Sequence, residues 1–269
     1  MDKILENTRK HKPLVHCISN YVTSNDMANM ILATGGSPIM ADEEDEVREI
    51  VDLAQALLLN IGTINKTKLR SMILAGQEAK ESYTPIVFDP VGIGASSFRR
   101  KAGRAIISRT SPDIIKGNIS EIKYLYNEGN RQLGVDSEDY SREKLDSYIE
   151  ICKELSIRYG ATIVMTGKVD IITNYKRLAL IKNGNDQMER VTGTGCILGG
   201  IIAALMGESR QAFEAASLGC IIMGLAGDRA LDYVRENDLG LGSFRNALID
   251  QVSRLDYEDI KGEMEVEFY

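Results

Sequence analysis

The sequence VTGTGC, residues 191–196, places two glycines and a cysteine at the start of a long apolar segment. Glycine-rich backbone entering a helix presents several N–H groups in one concavity, and the helix dipole adds positive potential. This pattern is typical of an anion site, with Gly193, Thr194 and Gly195 as candidate contacts. Cys196 would lie at its edge. A tight turn with Thr194 as the N-cap of an ordinary helix explains the same residues equally well.

Carboxylates and a lysine follow two other apolar runs. Asp89 lies in FDPVGIGAS, and Lys116, Asn118 and Glu121 lie in IIKGNISEI. If these residues converge, the lysine and the amide suit phosphate oxygens, and the two carboxylates suit a hydrated Mg²⁺. Each motif also has a structural explanation. Aspartate is common in turns, and Asn118 with Glu121 matches a capping box.

A third polar group lies in VMTGKVD, where Thr166 and Gly167 follow an apolar run. A hydroxyl and exposed backbone at this point could contact a nucleotide. The entrance to a β-hairpin explains the motif at least as well.

The elements that must position these residues alternate between strand and helix. Apolar, β-branched runs separated by helical patterns indicate a mainly parallel sheet buried on both faces. The polar residues at the carboxyl ends of such strands would meet along one edge, where ligands bind in α/β proteins. The runs and the helices after them are PLVHCI with 23–34, ALLLNIG with 66–82, TPIVFDPVG with 97–109 and PDIIKGN with 120–126.

The second half of the chain predicts a different ending for the sheet. A polar stretch at 127–140 precedes a helix over 142–159, and ATIVMTG, VDIITNY and RLALIKNG follow. The last two runs are joined by a short turn, which predicts a hairpin and antiparallel edge strands. From Thr194 onward the pattern is helical to the end. With no linker or repeat, residues 1–269 are expected to form one domain.

Composition narrows the possible functions. The chain has 269 residues, 43% of them hydrophobic, and a net charge of −7, so it can bury a full core but has no long-range attraction to nucleic acid or anionic membranes. No apolar stretch approaches a membrane span, which predicts a soluble, cytoplasmic protein. Four scattered cysteines and two histidines make a disulfide framework or a zinc site improbable.

Five motifs, taken in order, resemble those of the hydroxyethylthiazole kinases, which are ribokinase-like enzymes of thiamine salvage. The motifs are PLVHCISNYVTSNDMANMILATGGSPIMA, DPVGIGAS, KGNISEI, TGKVDII and VTGTGC. The resemblance implies a ribokinase-like α/β fold and transfer of the ATP γ-phosphate to the primary alcohol of 4-methyl-5-(2-hydroxyethyl)thiazole. It also implies Mg²⁺ and a homotrimer with active sites between subunits.

The resemblance also assigns roles to residues. Asn20, Met40 and Gly193 match the substrate-binding positions, and Cys196 matches the residue beside the substrate hydroxyl, where it would act as a weak general base. The nucleotide-binding positions are Lys116, Asn118, Thr166, Gly167, Thr194 and Gly195, and the carboxylates linked to Mg²⁺ are Asp89 and Glu121. A cysteine is mostly a neutral thiol at pH 7, but a helix N-terminus can lower its pKa toward neutrality, so the sequence leaves the protonation state of Cys196 open.

Three positions depart from the family pattern, and other functions stay open. Cys17 and Ser19 alter the strand before Asn20, and Lys168 stands where an acidic residue is common. The alternatives are a kinase of a pyridoxal-type or hydroxymethylpyrimidine-type alcohol, an ATP-using dehydratase of the same fold, and a nucleotide-binding regulatory protein.

Overall fold

The computed structural model describes residues 1–127 and 141–269, so residues 128–140 of the polar stretch lie outside the described residues. The described strands form one nine-stranded sheet in the order β2-β1-β3-β4-β5-β6-β7-β8-β9. Strands β1 to β6 pair in parallel, and β6 to β9 pair antiparallel. The predicted α/β class, with a mainly parallel sheet and antiparallel edge strands, is confirmed.

The strands are β1 (Leu14–Ile18), β2 (Ser37–Ile39), β3 (Ala56–Asn60), β4 (Ile86–Asp89), β5 (Ile114–Asn118), β6 (Thr162–Thr166), β7 (Asp170–Thr173), β8 (Leu178–Ile181) and β9 (Val266–Phe268). The helices are α1 (Ile4–His11), α2 (Ser24–Thr34), α3 (Val47–Leu53), α4 (Lys66–Glu81), α5 (Ser97–Thr110), α6 (Ile119–Tyr126), α7 (Arg142–Tyr159), α8 (Thr194–Ser209), α9 (Ala212–Glu236), α10 (Leu241–Arg254) and α11 (Tyr257–Glu263). A 3₁₀ helix, Asp186–Arg190, precedes α8.

The sheet is buried between two layers of helices. Alternate side chains of a strand point to opposite faces, so Leu58 joins the core beneath α8 and α9, and its neighbours Leu57 and Leu59 join the core beneath α3 to α7. Helix α8 is apolar on nearly all sides and packs across β1, β3 and β4. Its first turn therefore lies over the carboxyl ends of the central strands. Among the described helices, none combines the length and apolarity needed to cross a bilayer.

The chain reverses direction across the sheet at β1. The connection through α2 leads to β2 on one side of β1, and the connection through α3 leads to β3 on the other side. The carboxyl ends of β1 and β3 thus border a topological switch point, where the crevice in α/β sheets binds ligands.

The prediction that the chain is helical from Thr194 to its end is wrong at the C-terminus. Val266–Phe268 forms β9, which pairs antiparallel with β8 and closes one edge of the sheet. A strand of three residues is too short to show a two-residue hydrophobic period, so the sequence gives no signal for it. The short β2 was missed for the same reason. The predicted hairpin of β7 and β8 is confirmed.

Candidate active site

Asp89 and Lys116 form a buried ion pair at the carboxyl ends of adjacent strands. Asp89 is the last residue of β4, and the Lys116 ammonium on β5 donates to its Oδ2 at 3.1 Å. Both side chains are shielded from bulk water. Lys116 Nζ also donates to the carbonyl of Gly195 at 2.8 Å, which joins the pair to the first turn of α8. Three of the motifs found in the sequence therefore meet in space.

The electrostatics of the pair keep a proton on the lysine. Burial lowers the pKa of Lys116, but the carboxylates of Asp89 and Glu121 outweigh this effect and the pKa lies above its ordinary value. Burial raises the pKa of Asp89 to about 6, with Lys116 opposing the rise and Glu121 adding to it. At neutral pH the site holds a charged ammonium, which suits phosphate oxygens.

A chain of side-chain amides connects Asp89 to Cys196. Asn60, at the end of β3, donates through Nδ2 to Asp89 Oδ2 at 2.9 Å. Its Oδ1 accepts from Asn20 Nδ2 at 3.0 Å, and Asn20 Nδ2 also donates to Cys196 Sγ at 3.4 Å. Asn60 thus links Asn20 and Cys196, the candidates for the alcohol site, to the carboxylate of Asp89. Sequence reasoning missed Asn60.

Cys196 is the least buried of the four cysteines, all of which lie in described residues. The protonation state of its thiol, which the sequence leaves open, follows from its surroundings. Burial raises the pKa of the thiol, the nearby Asp89 carboxylate raises it further, and Lys116 opposes the rise only in part. Desolvation and a neighbouring negative charge both disfavour the thiolate. The resting group is therefore a neutral thiol.

The glycine-rich turn has the geometry of a backbone anion site. Gly193 is the N-cap of α8 with φ of 91°, and a Cβ at this position would overlap the side chain of Thr23. Thr194 is the first residue of α8 rather than its N-cap, and its hydroxyl donates to the Met188 carbonyl at 2.9 Å. The N–H groups in the first turn of a helix have no partner within that helix, so those of Gly195 and Cys196 are candidate donors to an anion.

Glu121 serves the capping box that the sequence indicates. Asn118 Oδ1 accepts from Glu121 N at 2.9 Å, and Glu121 Oε2 accepts from Asn118 N at 2.8 Å. The other oxygen, Oε1, accepts from Gly92 N at 2.8 Å and ties the loop after β4 to α6. Both carboxylate oxygens are engaged with backbone, so this carboxylate acts mainly by its charge and by holding two loops.

Thr166 and Gly167 lie at the end of β6, next to β5. The Thr166 hydroxyl donates to the Gly117 carbonyl at 3.4 Å, and Gly167 N donates to Asp170 Oδ1 at 3.0 Å. Burial raises the pKa of Asp170 to about 6, although its hydrogen bond to Gly167 N opposes the rise. This turn lies at the same edge of the sheet as Lys116.

Met40 lies at the outer end of the site, just after β2, and is 39% exposed. A buried lysine, also missed from the sequence, joins the loop after β1, which holds Asn20, to the loop after β2, which holds Met40. Lys68 Nζ donates to the Ser19 carbonyl at 2.6 Å, lies 3.5 Å from Asp42 Oδ2, and sits 3.6 Å from the centre of the Tyr21 ring. A lysine inside a helical pattern gives no sequence signal for this role.

The fold has solved relatives among distant kinases. A ribokinase-like superfamily protein from Enterococcus faecalis is 15% identical with a TM-score of 0.64, covering 94% of each chain. A pyridoxal kinase from Staphylococcus aureus, solved with AMP-PCP and pyridoxal, is 13% identical with a TM-score of 0.61, covering 96% of this chain and 98% of its own. These likenesses place the chain in the class of ribokinase-like α/β folds.

Closer relatives give the family. The model of the hydroxyethylthiazole kinase family matches residues 5–258. A hydroxyethylthiazole kinase from Alkaliphilus oremlandii is 42% identical over 258 residues, covering 96% of this chain and 94% of its own. A solved hydroxyethylthiazole kinase from Pyrococcus horikoshii is 32% identical with a TM-score of 0.89, covering 100% of this chain and 98% of its own. The chain belongs to the hydroxyethylthiazole kinase family.

Proposed function

We propose that the protein transfers the γ-phosphate of ATP to the primary alcohol of 4-methyl-5-(2-hydroxyethyl)thiazole. The observation that carries the proposal is the continuous set of hydrogen bonds from Asn20 and Cys196 to Asp89, Lys116 and the first turn of α8. This arrangement brings groups suited to an alcohol within reach of groups suited to a phosphate. Family membership supports the choice of alcohol.

The donor set fits Mg²⁺. In the described part of the chain, no hydrogen-bond donor reaches the buried Asp89 Oδ1, so this carboxylate oxygen is open to a ligand. Glu121 would contribute charge, and contact through water, since its oxygens already accept from backbone. No cluster of three or more acidic, histidine or cysteine ligands occurs within residues 1–127 and 141–269. Mg²⁺ does not need such a cluster, because it usually keeps several waters and binds one or two carboxylates together with substrate phosphates.

Mg²⁺, when bound, would neutralise charge on the phosphates. The chain would supply the remaining stabilisation. Lys116 would contact phosphate oxygens with its ammonium, and the N–H groups of Gly195 and Cys196 would donate to the transferring phosphoryl group. Thr166, Gly167, Asn118 and Thr194 would line the nucleotide side.

Cys196 would orient the acceptor hydroxyl, and only its thiolate form, which is the minor form at neutral pH, could take the hydroxyl proton late in the transfer. The transition state of phosphoryl transfer is loose, so positioning and charge stabilisation outweigh deprotonation of the alcohol. A neutral thiol is therefore compatible with the reaction, although its pKa is raised. Met40 and Gly193 would contact the thiazole ring.

We also propose that the protein is a homotrimer whose active sites lie between subunits. The side chains of Tyr21 and Val22, which follow Asn20, are each 67% exposed, and Met40 is 39% exposed. These apolar groups at the substrate end of the site leave surface for a neighbouring subunit to cover. Light scattering should give three times the 29.7 kDa of one chain, and Val22→Glu should lower that mass. A wild-type monomer would refute the proposal.

We further propose that the protein is a cytoplasmic enzyme of thiamine salvage, as its family membership suggests, and that residues 1–269 form one kinase domain. The single sheet shared by the nine described strands supports the one-domain proposal. A tryptic fragment that retained half of the strands and unfolded cooperatively on its own would contradict it.

A coupled assay of ADP formation tests the activity. With Mg²⁺ and ATP, we expect ADP to form in the presence of hydroxyethylthiazole and not with pyridoxal or hydroxymethylpyrimidine. ADP formation with pyridoxal alone would favour the pyridoxal-type alternative, and ADP formation without an alcohol would refute transfer to a vitamin alcohol.

A further inference from the structure

Asn60 is buried at the topological switch point and all of its side-chain hydrogen-bonding atoms are engaged. Its Oδ1 accepts from Gly62 N at 2.9 Å and from Asn20 Nδ2 at 3.0 Å, and its Nδ2 donates to Asp89 Oδ2 at 2.9 Å. A backbone N–H can only donate and a carboxylate can only accept. The amide of Asn60 therefore has one permitted orientation.

Two contacts together fix the orientation of the Asn20 amide, one to Asn60 and one to the backbone of Thr23. Asn20 Oδ1 accepts from Thr23 N at 3.1 Å, so its Nδ2 group faces the two acceptors, Asn60 Oδ1 and Cys196 Sγ. Cys196 consequently receives an N–H from Asn20 and cannot direct its own proton there. The sulfur therefore acts as a hydrogen-bond acceptor at this contact.

The backbone after Asn60 is shaped around Asn20. A Cβ on Gly62 would lie 2.8 Å from Asn20 Cβ and 2.9 Å from its Cγ and Nδ2, closer than side chains tolerate. The guanidinium of Arg99 donates to the carbonyls of Ile61 at 2.6 Å and Gly62 at 2.5 Å. The segment 60–62 is thus clamped from outside and leaves space that only the Asn20 side chain fills.

We infer that Asn60 is a positioning residue for phosphoryl transfer: it holds Asn20, and through it Cys196, in fixed register with the Asp89 carboxylate. The inference rests on the proposed function. Its effect would be on alignment of the acceptor oxygen with the phosphoryl group, and a misplacement of about 1 Å can cost about a hundredfold in rate. Asn60 itself would touch neither substrate.

A double-mutant cycle on kcat tests this role. Asn60→Leu and Asn20→Ala should each lower kcat by about tenfold to a hundredfold, with KM for ATP changed by less than about threefold. Because the two residues would act as one unit, the double variant should fall no more than about threefold below the weaker single variant. A double variant whose loss of kcat equals the product of the two single losses would overturn the inference. So would single variants that raise KM for the thiazole alcohol and leave kcat unchanged.

Two further variants separate positioning from stability. Gly62→Ala displaces Asn20 from the other side while leaving the bond from Asn60 to Asp89 in place, so it should lower kcat in the same way even if Asn60→Leu folds poorly. Asn65→Ala removes the N-cap of α4, where Asn65 Oδ1 accepts from Lys68 N, and should lower the melting temperature with kcat within about twofold of wild type. A loss of kcat in Asn65→Ala as large as that in Asn60→Leu or Gly62→Ala would contradict the inference. If the unaltered protein forms no ADP with the thiazole alcohol, the proposed function fails instead.

Discussion

Removing the ammonium of Lys116 should destabilise the fold in a pH-dependent way. In Lys116→Met the Asp89 carboxylate stays fully buried with Asn60 as its remaining hydrogen-bond donor. Breaking a buried ion pair by removing one partner costs about 3 to 5 kcal/mol, because the other charge is left uncompensated. For a chain of this size each kcal/mol lowers the melting temperature by about 2 to 4 °C, so we expect a fall of roughly 6 to 20 °C.

The pH dependence of this loss identifies its cause. Burial raises the pKa of Asp89 to about 6 even with Lys116 present, and removal of Lys116 raises this pKa further. A carboxyl group with a raised pKa in the folded state contributes stability that is present at low pH and is lost as pH rises through that value. The deficit of Lys116→Met relative to wild type should therefore be smaller at pH 5 than at pH 8.

Thermal unfolding followed by circular dichroism measures both effects. Lys153→Met is a matched control, since Lys153 pairs with Glu150 at 2.9 Å on the exposed face of α7 and such pairs contribute about 0.5 kcal/mol or less. Lys116→Met/Asp89→Asn removes both charges and should regain part of the loss. A melting temperature of Lys116→Met equal to that of Lys153→Met at pH 8 would refute the buried-pair reasoning.

Three further predictions follow from the site. Cys196→Ala should lower kcat by about tenfold to a hundredfold and leave ATP binding intact, because general-base help matters little in a loose transition state; complete loss of turnover in a folded variant would give the thiol a larger role. Gly193→Ala should lose at least about 1 kcal/mol in urea unfolding and most of its turnover, since φ is 91°, whereas Gly240→Ala, with no atom near the added Cβ, should match wild type in turnover. Because the pKa of Asp170 is raised to about 6, the free energy of unfolding of wild type should fall by up to about 3 kcal/mol as pH rises from about 4 to about 6. Asp170→Asn should lack this fall, and parallel stability profiles for the two proteins would contradict the prediction.

The main elements and their relation to the site could be predicted from the sequence because the neighbouring parallel strands β3 to β6 each end in a polar residue. Asp89, Asn118 and Thr166 all close apolar runs, and parallel strands bring such ends to one edge. Asn60 obeys the same rule at the end of ALLLN and was available to this reasoning. It was missed because a single amide suggests no reaction until its three partners are known.

Other features had no local signal. The pKa of Cys196 depends on the balance between burial, Asp89 and Lys116, and these residues are far apart in the chain. The same holds for Lys68, whose partners Ser19 and Asp42 belong to loops after other strands. Long-range contacts of this kind follow from the three-dimensional fold and are not visible in spacing or composition.

Following the γ-phosphate itself tests the proposed reaction most directly. ATP labelled at the γ-phosphorus would be incubated with the protein, Mg²⁺ and hydroxyethylthiazole, and the products would be separated. We predict that the label appears on the thiazole alcohol in an amount equal to the ADP formed, with little free phosphate. Release of the label as inorganic phosphate, or no ADP formation in the presence of the alcohol, would contradict the assignment of this protein as a thiazole-alcohol phosphotransferase.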